Sequence, residues 1–149
     1  MKNESLSFEF EIQVGQPIEL INFEVPIDTM KRSGVYILRQ GVCNIESWDC
    51  FDQQTIYIGK AIKETIFSRC RKHLWTIRKC KSTNGNVRTR PGKNFISYRE
   101  SINCCPSGIY VVPVFIQPSK SYFISFYEEF LLNNYQIKNN RAPIANTSI

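Results

Sequence analysis

Thr55-Ile56-Tyr57-Ile58-Gly59-Lys60-Ala61 and the residues that follow it, Ile62 through Arg78, form the stretch on which the fold turns. The first four residues are β-branched or aromatic, the composition of a strand, and Gly59 closes them. Beyond it, a step of ~100° per residue puts Ile62, Ile66, Cys70, Leu74 and Ile77 on one apolar stripe with Phe67 beside it. The stretch predicts a strand over Thr55–Ile58 that leads into a helix over residues 62–78.

Working outward, Val35–Leu38 is a short apolar run of strand type, and Gly41–Gln53 reads as the loop between the two strands. Farther upstream, Leu6, Phe8, Phe10, Ile12 and Val14 alternate with polar residues, the period of a half-buried strand. Gln16–Pro26 has room for a second short strand, and Asp28–Arg32 for one helical turn. Downstream, Lys81–Asn94 is polar and broken by Asn-Gly and Arg-Pro-Gly, hence a loop. Residues 94–102 are ambiguous, with a short helix as one reading. Ile109–Ile116 predicts a strand in which Pro113 argues for an edge or a bulge. Pro118 ends it, and Ser121–Tyr135 predicts a second long helix. This order of elements predicts a mixed α/β (α+β) domain with a mainly antiparallel sheet.

A chain of 149 residues suffices for one domain with a real core. A hydrophobic fraction of 42% excludes intrinsic disorder. No apolar run approaches the ~20 residues of a membrane span. The acidic, alternating Met1–Glu11 is unlike a secretory signal, so the six cysteines are expected to be mostly reduced and the protein cytoplasmic. The Cys43/Cys50, Cys70/Cys80 and Cys104-Cys105 spacings are not those of a structural zinc site.

Charge is distributed unevenly. Residues 1–59 carry 4 bases and 9 acids, residues 60–99 carry 12 bases and one acid, and residues 100–149 carry 3 of each. The net +6 is thus concentrated in one segment of forty residues. Such a segment is the electrostatic footprint of a polyanion partner, or else a solvated basic surface.

Four features stand out as chemistry. Gly34-Val35-Tyr36 opens one strand, and Tyr57-Ile58-Gly59-Lys60-Ala61 closes the next. Arg69 and His73 lie four apart on the following helix. Glu128 lies on the last helix, with Asn146 beyond it. In this order they resemble the GIY-YIG nuclease family over about residues 31–149. Gly34 and Tyr36 match the first half of its signature and Tyr57 and Gly59 the second. Arg69 and His73 fit an Arg-x-x-x-His form, and Glu128 fits a Glu-x-x-apolar-apolar pattern through Leu131 and Leu132. Gly108-Ile109-Tyr110 spells the first motif literally but comes after Tyr57, against the family order, so Tyr110 is read as an ordinary strand position. The motif tyrosines are 21 positions apart, wider than is usual, and the loop Gly41–Gln53 must absorb the difference.

The resemblance implies a three-stranded antiparallel sheet flanked by helices, with residues 1–30 as an N-terminal extension that adds a strand or strands and residues 31–149 as the nuclease domain. It implies an endonuclease in which Tyr36 or Tyr57 orients or deprotonates the attacking water. A phosphodiester builds charge on its oxygens as it is attacked, so a planar, permanently protonated guanidinium suits it, and Arg69 is the candidate. Magnesium or manganese needs oxygen ligands and retains waters, so one carboxylate can serve. Glu128 is that candidate. On a helical wheel Ile124, Leu131, Leu132 and Tyr135 surround its angle, whereas Ser125, Glu129, Asn133 and Gln136 fall elsewhere. Its plain alternative is an internal salt bridge.

His73 is a candidate proton acceptor or phosphate contact, with a purely structural role as the alternative. Gly34 and Gly59 are expected to permit close backbone approach, and Asn146 to hydrogen-bond near the metal. Lys60, Arg71, Lys72, Arg88, Arg90 and Lys93 are expected to neutralise backbone phosphates, with binding that weakens in salt. Phe95 and Tyr98 are candidates for stacking on bases or for the core. The expected substrate is nucleic acid, with duplex DNA foremost. A pair of chains is implied if both strands are cut at once. The rivals are a nucleic-acid-binding module of the same fold without turnover, and an interaction protein whose basic segment docks an acidic partner.

Overall fold

The computed structural model describes residues 1–79 and 91–147. Among them the apolar runs pair into one antiparallel sheet: β1 (Ile12–Val14), β2 (Ile18–Glu19), β3 (Gly34–Gln40), β4 (Thr55–Ala61) and β5 (Ile109–Ile116). Three α-helices flank it: α1 (Ile66–Arg78), α2 (Lys93–Ser101) and α3 (Ile124–Asn139). The architecture is α+β, as the order of elements predicts. The strand order is β1-β5-β3-β4, with β2 also paired to β5. None of the described helices is long and apolar enough to cross a membrane.

Both faces of β3 and β5 are covered, which is why these strands read as continuous apolar runs. Tyr36, Leu38, Ile109, Val111 and Phe115 pack with the α1 and α2 side chains Phe67, Cys70, Leu74 and Phe95. Val35, Ile37, Val112, Val114 and Ile116 pack on the opposite face with Ile124, Leu131 and Tyr135 of α3. Leu20 and Phe23, in a 3₁₀ turn after β2, belong to the first of these layers. Residues 1–30 therefore supply two strands and part of the core.

Four expectations need correction. Alternation from Leu6 to Val14 yields paired strand only over Ile12–Val14, because β5 offers no partner beyond Ile116, which pairs with Ile12. Phe8 and Phe10 pack instead on the ring of Phe123. Pro113 lies neither on an edge strand nor in a bulge. It sits in the interior strand β5, where the Pro113 carbonyl accepts from Gly15 N–H at 2.9 Å in the break between β1 and β2. Its missing N–H faces that break, so no ladder bond is lost.

The helix predicted from Ile62 begins at Ile66, because Thr65 caps it by accepting from Ser68 N–H at 3.1 Å. Ile62 is left exposed in the preceding turn. The last helix begins at Ile124 rather than Ser121, since Pro118 opens a 3₁₀ stretch broken at Lys120. Residues 94–102 resolve as α2. Residues 80–90, most of the loop predicted over Lys81–Asn94, lie outside the described residues. Cys43, Cys50, Cys70 and Cys105 carry free thiols, in line with mostly reduced cysteines, and Cys104 is disulfide-bonded.

Candidate active site

Among the described residues β4 ends the sheet, and the layer beneath α1 and the layer beneath α3 meet around its outer side. Side chains far apart in sequence converge there. Tyr57, Lys60 and Ala61 from β4, Arg69 from α1 and Glu128 from α3 line one cavity of about 400 Å³, with Lys63 and Glu64 of the connecting turn at its rim. Period two in β4 sends Tyr57 toward the α1 layer and Lys60 toward α3, so one strand serves both halves of the site.

Tyr36 lies directly behind this cavity and is fully buried. Its ring is 6.0 Å from that of Tyr57, and its hydroxyl is 2.7 Å from Nε2 of His73. The half-buried Tyr57 is therefore the phenol that reaches the cavity. Burial raises the pKa of both phenols; for Tyr57 the nearby Arg69 charge opposes the rise. Both are neutral at pH 7.

Gly59 stands opposite Tyr36 in the β3/β4 register. A Cβ there would fall 2.6 Å from the Tyr36 hydroxyl and 2.6 Å from Cε1 of Tyr57. Gly34 has a similar duty, since a Cβ would fall 2.5 Å from the Val114 carbonyl oxygen. The two motif glycines thus make room for backbone and phenols and carry no chemistry of their own.

Glu128 keeps 15% of its side chain exposed, and its nearest cation is Lys60, at 3.4 Å. Burial raises its pKa, and Lys60 works against that rise. Neighbouring Glu129 is exposed, as the helical wheel requires. Lys60 also donates to Ser125 Oγ at 3.2 Å, so its ammonium spans β4 and α3.

Arg69 faces Glu64 at 3.5 Å, and Glu64 is itself held by Lys72 at 2.7 Å and Ser68 Oγ at 3.0 Å. Burial works to raise the Glu64 pKa, but the bonds from Lys72 and Ser68 outweigh it and keep the carboxyl below its usual range. Glu64, like Lys63, is a charged residue of the cavity that sequence reasoning missed. The available signal was an acid just ahead of the Thr65 cap, where a helix N-terminus favours negative charge, with Ser68 and Lys72 spaced to reach it.

His73 is not at the cavity. It is buried among Tyr36, Tyr57 and Phe95, so a phosphate contact is excluded in this arrangement. Burial first, and the charge of Arg69 second, lower its pKa from 6.5 to about 3. It is neutral at pH 7 and serves to hold Tyr36. Because the folded pKa lies below the unfolded one, the unfolded chain binds the extra proton between these values, and stability falls as pH drops through that window. His73→Gln is expected to remove up to about 1.4 kcal/mol per pH unit of that slope, as read by denaturant unfolding between pH 6.5 and 3.

Asn146 has a different task from the one expected of it. Its Nδ2 donates to the Ile58 carbonyl and its Oδ1 accepts from Ile58 N–H, both at 2.9 Å, and Ala145 N–H bonds the Ile56 carbonyl at 2.8 Å. The tail thus caps the outer side of β4 and holds the strand that carries Tyr57 and Lys60. Asn146→Ala is expected to lower unfolding free energy by about 1–3 kcal/mol, the cost of stranding those groups, as read by urea denaturation.

Of the remaining basic candidates among the described residues, none lines the cavity itself. Arg71 stacks over Trp75 at 4.5 Å, Lys72 is bound to Glu64, and Lys93 is exposed at the start of α2. Arg88 and Arg90 lie outside the described residues. Phe95 and Tyr98 are buried in the core, not offered to bases. Comparison of the chain with protein-family models, with curated proteins and with solved structures finds no match.

Proposed function

We propose that the chain is a metal-dependent endonuclease of the GIY-YIG type, acting on phosphodiester bonds of DNA. The observation that carries this reading is the meeting of Tyr57, Lys60, Arg69 and Glu128, drawn from three elements, around one open cavity. A cluster of two cations, one desolvated carboxylate and one phenol at the surface suits an anion that is attacked by water.

In this reading the scissile phosphate lies between Arg69 and Lys60. The guanidinium presents paired N–H donors to the two non-bridging oxygens and stabilises the charge that grows there. The Tyr57 hydroxyl oxygen accepts a hydrogen bond from the attacking water and aims its lone pair at phosphorus; as the new P–O bond forms and the bond to the leaving oxygen breaks, the water's proton passes to solvent through the open cavity. A neutral phenol does this by position, not as a phenolate. Tyr36, pinned by His73, supports the Tyr57 ring from behind, and Glu64 keeps Arg69 extended toward the cavity. Among the described residues no cluster of three or more His, Cys, Asp or Glu side chains forms a closed metal cage. A single hard carboxylate at an open site fits Mg²⁺ or Mn²⁺, which bind through one or two carboxylates plus substrate phosphate and water. Glu128 would hold the ion, which when bound stabilises the leaving oxygen.

The Lys60–Glu128 ion pair favours a second reading, a binding module in which the lysine permanently neutralises the carboxylate. Incubation with supercoiled plasmid separates the two. The nuclease gives nicked product with Mg²⁺ and none with EDTA. Salt-sensitive gel shifts with no product under any metal condition would establish the binding module instead.

A further inference from the structure

Glu128 lines two cavities. The second, of about 610 Å³, opens on its other side and is bounded by Phe126, Phe130, Glu129, Asn133 and Asn146. Phe126 and Phe130 stand one turn apart on α3 with rings stacked at 26° and 6.4 Å between centroids. They are 55% and 47% exposed, unlike the inward-facing Ile124, Leu131 and Tyr135 of the same helix. The two cavities differ in charge. Three cations, Lys60, Lys63 and Arg69, and two carboxylates, Glu64 and Glu128, line the first, which leaves it net positive. Among the described residues the second is lined by no cation and by two carboxylates, Glu128 and Glu129. A phosphate is attracted to the first and repelled from the second.

We propose that the second cavity is a subsite for one unpaired nucleobase, stacked on Phe126 and Phe130, next to the phosphate held by Arg69 and Lys60. The proposal deepens the nuclease reading and rests on it for the identity of the ligand. A base is planar, uncharged and bears a π face, and base–aromatic stacking tolerates any sequence. The volume suits a group of this size. At the rim, Glu129 offers an acceptor to exocyclic amines, and Asn133 offers both donor and acceptor to a base edge. Asn146 contributes only wall, because its amide is spent on Ile58.

A base inside a duplex has both faces covered by its neighbours and cannot reach these rings. The substrate class is therefore nucleic acid with at least one nucleotide out of the stack beside the cut, as in a single strand, a flap or a junction. Supercoiled plasmid supplies such segments transiently.

The test is fluorescence anisotropy of wild type, Phe126→Ala, Phe130→Ala and the double variant with a labelled single-stranded oligonucleotide, its duplex, and a strand of the same length that is abasic at every position. Binding is measured in EDTA and cleavage separately in Mg²⁺. The substituted rings are exposed, and thermal melts check that the variants fold. The single strand is expected to bind wild type more tightly than the duplex does, and each ring lost to weaken it about fivefold or more. Duplex binding is expected to be unmoved, and the abasic strand to bind wild type and double variant alike. Equal binding of the single strand to wild type and double variant would overturn the subsite. So would an equal loss for strand and duplex, or a wild-type dimer that the double variant converts to monomer, which would make this face a contact between copies. Mg²⁺-dependent cleavage that survives any of these results leaves the nuclease reading intact. Ring-dependent binding of the single strand without cleavage keeps the subsite and removes the nuclease.

Discussion

Glu128→Gln is expected to slow Mg²⁺-dependent cleavage of supercoiled plasmid by about 10³-fold while leaving nucleic-acid binding in EDTA equal to or tighter than that of wild type. Glutamine preserves the shape of the side chain and its hydrogen-bonding reach to Lys60, so the contact between α3 and β4 is expected to hold. What disappears is the charge, and with it the hard anionic donor that a divalent ion needs. Loss of the several kcal/mol that an ion supplies to the transition state corresponds to a rate effect of this order. The binding arm carries the discriminating information. Lys60 is now 3.4 Å from a carboxylate that partly cancels it. With the carboxylate neutralised, the cavity becomes more positive and a phosphate loses no attraction. A variant that cuts as fast as wild type would remove Glu128 from the mechanism, and one that neither cuts nor binds would point to a damaged fold.

Gly59→Ala is expected to damage both the fold and the rate of cleavage. The added carbon falls 2.6 Å from atoms of both phenols, and real contacts of this kind do not occur. Tyr36 has no space into which to retreat, being fully buried and bonded to His73. The strain must therefore pass to Tyr57 or to the β3/β4 pairing. Overpacking of this sort costs about 1–3 kcal/mol of stability. Displacing the Tyr57 oxygen by about 1 Å costs about 10²-fold in rate. Urea denaturation reads the first effect and plasmid nicking the second. An alanine variant with wild-type midpoint and rate would show that the phenols are freer than the packing implies.

The long strands of the sheet were legible because their signals are local. Val35–Leu38, Thr55–Ile58 and Ile109–Ile116 are apolar in the manner of doubly covered strands, and no competing pattern overlaps them. Glu128 was legible for the same reason, since the flank of a long helix can be read from spacing alone. Other features depended on partners that spacing does not reveal. The alternation of Leu6–Val14 is a valid strand pattern, but pairing stops where β5 stops. Ile62 falls on the helical stripe by angle, yet the Thr65 cap places it outside the helix. His73 reads as a reactive group until three aromatic rings from three elements are seen to enclose it. The proximity of Lys60 to Glu128 links residues 68 positions apart and has no local trace.

The bonds that Ala145 and Asn146 make along β4 have a consequence for how the molecules behave in a crowd. An open row of amides and carbonyls invites a neighbouring chain to add itself as the next rung, the first step toward fibrillar stacking. Here residues of the same chain, Ala145 and Asn146, occupy part of that row, at Ile56 and Ile58, and deny those rungs to a stranger. Proteolytic trimming after Ile144 would strip this guard away and leave a sticky flank.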